Sequence, residues 1–262
     1  MNNHEIDYKI YGDDMQFVEV ELDPQETVVG EAGSFMMMED DIHMETIFGD
    51  GSGSSDGGLM GKLFSAGRRV LTGESLFMTT FTNRGNAKRH VSFAAPYPGK
   101  IIPMDLSELG GKIICQKDSF LAAAKGVSIG IEFQRKIGAG FFGGEGFIMQ
   151  KLEGDGLAFV HAGGTITRKE LLPGQQLRVD TGCLVAITNN VSYDIEFVRG
   201  VKTALFGGEG LFFATLRGPG SVWIQSLPFS RLASRVFAAA SPGGAKDEGS
   251  IARGIFDVFS GD

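Results

Sequence analysis

The stretch Phe142-Gly143-Gly144-Glu145-Gly146 returns 64 residues later as Phe206-Gly207-Gly208-Glu209-Gly210. It is either a glycine loop that cradles phosphate or the seam of a duplicated β unit, and the fold follows from which. A phosphate loop needs glycines that run into a helix N-terminus, where free N–H groups meet the anion. These glycines run instead into FIMQKL and LFFATL, rich in β-formers and closed by another Gly. The dinucleotide pattern GxGxxG and its βαβ setting are both missing. The glycines therefore serve positive φ and close strand crossing.

Identities extend outward at the same offset. Val127-Ser128-x-x-Ile131-Glu132-Phe133-x-Arg135 matches Val191-Ser192-x-x-Ile195-Glu196-Phe197-x-Arg199, and Leu152, Gly154 and Gly156 match Leu216, Gly218 and Gly220. Residues 127–156 and 191–220 agree at 14 of 30 positions, where unrelated segments would share roughly two, so the segment is duplicated. A more degraded third copy lies upstream. Gly73-Glu74-Ser75-Leu76-Phe77-Met78 resembles residues 144–149 at an offset of 71, and Ser34-Phe35 resembles Ser119-Phe120 at an offset of 85. The difference, 85 − 71 = 14, is extra chain in the first copy, visible as the Gly/Ser-rich and then apolar residues 49–71. The expected organisation is repeat 1 over 1–109, repeat 2 over 110–174, repeat 3 over 175–240, and a linker with an apolar tail over 241–262.

Each copy carries five or six short strand signals separated by Gly turns. SIGIEFQR (128–135) and SYDIEFVR (192–199) alternate apolar and polar residues, as half-buried strands do. Helical signal is sparse. LMGKLFSAGRRVL (59–71) has an apolar stripe, and SRLASRVFAAA (230–240) predicts a short helix capped by Ser230. Gly is 39 of 262 residues but Pro only 8, a composition for tight β turns and not for a Pro/Gly-rich disordered chain.

Net charge is −8, and such a surface repels phosphate backbones, which argues against nucleic acid as a partner. Cys115 and Cys183 form no CxxC and are expected as buried free thiols in a reducing compartment. The N-terminus is polar and acidic and no run approaches 18 apolar residues, so neither a secretory signal nor a spanning helix is expected. Location is expected in the cytoplasm, with contact at the inner membrane face as its extension.

The familiar catalytic patterns fail one by one. A P-loop over residues 56–63 would need Gly and then Ser or Thr where the chain has Asp56 and Leu63. Gly126-Val127-Ser128-Ile129-Gly130 fits GxSxG, but Ser128 leads into a strand, and Ser192 repeats it in the next copy, so it is no nucleophile elbow. His4, His43, His90 and His161 are scattered, and His161 aligns with Gln225. Trp223 is expected in the core. No catalytic residue and no cofactor are expected, and the chain reads as a non-enzyme. Glu74, Glu145 and Glu209 fall at equivalent places in the three copies. Facing a common axis, they are the candidate ligands for a hard cation. Leu59, Met60, Leu63, Phe64, Ile255 and Phe256 are the candidate interaction residues, apolar beside glycine linkers. They would dock on the β core, a sister subunit or a membrane surface.

GLMGKLFSAGRRVLTGESLFMTTF (58–81), the two FGGEG seams and the Gly-rich apolar tail resemble the mitochondrial-biogenesis "altered inheritance of mitochondria" family and its bacterial and archaeal relatives. The resemblance covers about residues 5–262. It implies an all-β fold of three tandem units similar to the tryptophan RNA-binding attenuation protein, in the double-stranded β-helix class, with one or two short helices. It also implies a homo-oligomer, with a trimer favoured, and links fungal members to inner-membrane organisation. Fold does not transfer function, and no repeating Lys/Arg pattern here could grip RNA. The expected function is a non-enzymatic scaffold or interaction protein in a symmetric oligomer with a peripheral membrane contact. The alternative is a small-molecule or metal-ion binding module with its site between repeats.

Overall fold

A computed structural model describes residues 5–31, 33–48, 77–135, 147–197 and 212–240. The described chain is predominantly β, with one α-helix. It begins with β1 (Asp7–Tyr11), β2 (Phe17–Leu22), β3 (Thr27–Glu31), β4 (Phe35–Met38), β5 (Ile42–Phe48), β6 (Phe77–Asn83) and β7 (Arg89–Ala94). It continues with β8 (Gly99–Asp105), β9 (Lys112–Gln116), β10 (Phe120–Ala124), β11 (Ser128–Arg135), β12 (Phe147–Glu153) and β13 (Leu157–Gly163). The last strands are β14 (Ile166–Leu171), β15 (Gln176–Asp180), β16 (Leu184–Thr188), β17 (Ser192–Phe197), β18 (Phe212–Arg217) and β19 (Gly220–Gln225), before α1 (Phe229–Ala240).

These strands form four sheets, ordered β1-β2-β7-β4, β5-β6-β3-β10-β13-β8, β11-β12-β9-β16-β19-β14 and β15-β18-β17. One pairing scheme recurs. Thr27 faces Thr82, Lys112 faces Glu153 and Gln176 faces Arg217 across β3–β6, β9–β12 and β15–β18. The spacings are 112 − 27 = 85 and 153 − 82 = 71, then 176 − 112 = 64 and 217 − 153 = 64. The same register shift breaks all three partner ladders, between Phe35 and Met37, Phe120 and Ala122, and Leu184 and Ala186. A bulge adds one residue to one strand and bends it, so the bend falls at one place in each set of strands.

The sheets stack with an apolar layer at each junction. Val18, Val20 and Leu22 of β2 meet Phe81, Leu121 and Phe159 between the first and second sheets. Val29, Met78, Cys115, Ile113, Val185 and Trp223 lie between the second and third. Ile114, Met149, Leu184, Val191, Ala214 and Leu216 lie between the third and fourth. Strands in the inner sheets are covered on both faces and lose the polar alternation of a half-buried strand: β10, Phe-Leu-Ala-Ala-Ala, is buried throughout. Two glycines set close approaches. A Cβ on Gly30 would lie 2.6 Å from the Phe93 ring, and one on Gly163 would lie 2.0 Å from the Leu227 carbonyl oxygen.

Two details depart from the sequence reading. The helix starts one residue early, at Phe229. The Pro228 carbonyl accepts from the Arg231 and Leu232 amides, so position 228 takes the capping place and Ser230 sits within the first turn. Both cysteines are free, but only Cys115 is fully buried; Cys183 is half-buried, 3.7 Å from an Arg231 nitrogen. Trp223 lies in the core, 5% exposed.

Candidate interaction surface

The glutamates Glu74, Glu145 and Glu209 lie outside the described residues, as do Leu59, Met60, Leu63, Phe64, Ile255 and Phe256. The chain positions of the glutamates are nonetheless related. Each falls in the connection of a hairpin, between β5 and β6, β11 and β12, or β17 and β18. Among the described residues no group of three or more His, Cys, Asp or Glu side chains could hold a metal ion.

The described surface shows its clearest anomaly at β4. Strands β4, β10 and β16 occupy one place in the pairing scheme, each beside β7, β13 or β19. On its other side β10 pairs with β3, and β16 with β9. The described residues offer β4 no such second partner. The consequence is a run of four exposed apolar residues: Phe35, Met36, Met37 and Met38 are 41%, 47%, 44% and 40% exposed. Their counterparts in β10 are all buried.

The complementary gap is at β15. Strands β3 and β9 each pair on both sides, with β6 and β10 or with β12 and β16. Strand β15 pairs with β18 alone among the described residues. Its residues Gln176, Leu177 and Arg178 are exposed or half-exposed, and Val179 is buried. Among the described residues, one end of the stack thus lacks a strand of the β3 type, and the other lacks one of the β4 type.

The edges formed by β2, β8 and β14 are closed by other means. Strand β1 pairs along β2. At β8 the Gly99 amide donates to the Asp14 carbonyl, and the Ile101 amide donates to Gln16 Oε1. Pro103 has no N–H to offer. At β14 the exposed run Thr167-Arg168-Lys169-Glu170 places charge on the edge, which discourages strand addition. Arg168 stacks over the Trp223 ring at 5.0 Å and donates to Glu170 Oε1 at 2.8 Å and to Ser221 Oγ at 3.0 Å. A cleft of about 780 Å³ opens there, with Glu5, Asp105, Glu108 and Asp155 around Tyr8 and Trp223.

One buried polar group invites a chemical reading. His161 on β13 is 1% exposed, and neither ring nitrogen reaches a hydrogen-bond partner. Burial lowers its pKa to about 4; the Tyr97 backbone is near enough to oppose that shift without forming a well-directed bond. The Tyr97 ring sits edge-on at 4.4 Å, with its phenol pushed up to about 12, first by burial and then by Asp118 and Glu31. Glu31 is itself raised to about 7 by burial and by the Asp118 carboxylate. Burial also pushes the Cys115 thiol up to about 12. Every one of these shifts favours the uncharged form, the reverse of what a thiolate or phenolate nucleophile needs.

Comparison with known proteins gives a family model, a relative and a solved structure of like fold. The family model described as Mitochondrial biogenesis AIM24 matches residues 8–227. The chain is 32% identical over 223 residues to the uncharacterized protein M6_Spy0233 of Streptococcus pyogenes serotype M6, covering 84% of this chain and 85% of that protein. The crystal structure of protein SPYM3_0169 from Streptococcus pyogenes superposes with a TM-score of 0.70 at 24% identity, over 90% of this chain and all of that one; this likeness is one of fold. No described helix is long and apolar enough to cross a membrane. A match over 220 of 262 residues places this chain in the mitochondrial biogenesis AIM24 family.

Proposed function

We propose that the protein is a non-enzymatic interaction scaffold: three tandem units similar to the tryptophan RNA-binding attenuation protein, assembling head to tail into a closed symmetric ring of three chains. The observation that carries this is the unmatched pair β4 and β15. Two junctions inside the chain already show how one unit joins the next. Ala122, Ala123 and Ala124 face Gly30, Val29 and Val28 in the first. Ala186, Ile187 and Thr188 face Cys115, Ile114 and Ile113 in the second. Stepping back by 85 on one strand and forward by 64 on the other gives the register of a third junction. Met37 would face Val179, Met38 would face Arg178, and Glu39 would face Leu177.

That junction joins two chains. Strand β4 belongs to the first sheet of the stack and β15 to the last, with two six-stranded sheets between them. A contact between two different surfaces repeats from chain to chain and closes when the rotation permits. Closure removes the edges that a lone chain exposes. Covering three half-exposed methionines contributes about 1 kcal/mol each. Three chains is the closure that the family resemblance implies.

Size-exclusion chromatography with light scattering tests the reading. The expected mass is that of a trimer. The double variant Met37→Lys, Met38→Lys places two charges on the β4 edge and is expected to elute as a folded monomer with an unchanged β circular-dichroism spectrum. A wild-type monomer, or a trimer indifferent to both lysines, would contradict it.

A further inference from the structure

The cleft along β1, β8 and β14 carries negative charge that nothing nearby answers. Glu5, Glu108 and Asp155 are exposed, and among the described residues none of them pairs with a Lys, Arg or His side chain. Asp105 beside them is held below the usual carboxylate range, first by the Ser107 hydroxyl, which donates to its Oδ1 at 2.6 Å. Arg168, the cation among the lining residues, is already matched by Glu170. Between the charges the wall is apolar, with Ile102, Met104, Leu157 and the Tyr8 ring, 41% exposed. Trp223 belongs to the same wall and is 5% exposed. Its indole N–H meets no acceptor among the described residues. The nitrogen is not sealed off from solvent, so the cleft that Trp223 lines is the route by which an acceptor reaches it. A nearly buried donor left without an acceptor is costly.

These features select a ligand that carries cations, aliphatic stems and a hydrogen-bond acceptor together. A metal ion has no stems, and among the described residues no three acidic side chains converge to ligate one. A linear polyamine has cations and methylenes but no acceptor for the indole. A peptide rich in lysine or arginine has all three: charged heads for the carboxylates, methylene stems for the apolar wall and main-chain carbonyls for the indole. We propose that the cleft binds a basic peptide segment of a partner protein, with its cationic side chains against Glu5, Glu108 and Asp155 and a main-chain carbonyl on the Trp223 N–H. The segment binds through these groups and does not extend the sheet, because Pro103 offers β8 no N–H and the Gly99 and Ile101 amides are taken. This names a partner for the interaction scaffold and rests on that reading, but it does not need the ring, since every group lies within one chain.

Fluorescence anisotropy of a labelled, end-capped hexalysine peptide, titrated with the full chain, tests it. Binding is expected for hexalysine, weakening as salt is raised, and none for end-capped hexaglutamate. Glu108→Gln with Asp155→Asn, at exposed positions, is expected to weaken binding at least tenfold. Asp13→Asn with Glu45→Gln removes the same charge at exposed positions elsewhere and is expected to change it less than twofold. Trp223→Phe keeps a ring but not the N–H, and is expected to weaken hexalysine several-fold while leaving competition by spermidine unchanged. Equal losses in the two paired variants would reduce the binding to attraction by net charge. Spermidine binding as tightly as the peptide would make the cleft a polyamine site. Either result, or no binding of hexalysine, would overturn the inference. A trimer that binds no peptide would leave the ring standing; a monomer that binds it would remove the ring and leave the cleft.

Discussion

Residues 99–163 and 166–225 pass through the same strands in the same order, yet they solve one buried position in opposite ways. In the second stretch Gln225 accepts from the Gly163 amide and donates to the Gly182 carbonyl, both at 2.7 Å. In the first stretch the place 64 residues earlier holds His161, as deeply buried and with neither nitrogen bonded. A buried polar group left unpaired costs far more than a satisfied one contributes. Here a glutamine joins β13 and β19 to the turn at Thr181–Cys183, while a histidine stores a liability.

Breaking the satisfied copy has the largest expected effect. Gln225→Ala orphans a buried amide and a buried carbonyl at once, and urea unfolding is expected to show a loss of about 3 kcal/mol. The other copy is exposed by pH. His161 takes up its proton at about 4 in the folded protein, whereas the unfolded chain takes one up near the ordinary 6.5. The folded form therefore loses stability as pH falls from about 6.5 through 4, by about 2 kcal/mol across that window. His161→Gln is expected to flatten this slope, and thermal melts at pH 7 and pH 4.5 read the difference. The smallest effect runs the other way. The proton on Glu31 is held up to about 7, so stability present at low pH is lost as pH rises from about 4.5 through 7. Glu31→Gln, which copies Gln116 of the next unit, is expected to recover about 1 kcal/mol at pH 8; a variant less stable than wild type there would show that the carboxylate has a use.

The same comparison shows what the residues disclosed. The all-β class was legible because glycines and alternating runs such as SYDIEF specify strands locally. The offset of 64 between Phe142 and Phe206 reappears as the spacing of β9 from β15 and of β12 from β18. The helix over 230–240 was legible from its stripe, but its capping position was not, because the Pro228 carbonyl supplies it and no side chain signals that. The exposure of Phe35-Met36-Met37-Met38 was hidden. FMMM and FLAAA look alike as apolar runs, and only the ladder beside each tells a covered strand from an open one. The burial of His161 and Glu31 was hidden for the same reason, since it depends on strands remote in sequence. The acidic and apolar positions singled out as sites, from Leu59 to Phe256, lie outside the described residues.

A designed cross-link reads the proposed contact between β4 of one chain and β15 of the next directly. Met38→Cys with Arg178→Cys, in a Cys183→Ser background, puts a thiol on each of the two open strands at positions that the inner junctions place opposite one another. Mild oxidation followed by non-reducing electrophoresis is expected to give a disulfide-linked trimer, with neither single-cysteine variant linking. Persistence of uncross-linked monomer, or a disulfide closed within one chain, would contradict the ring.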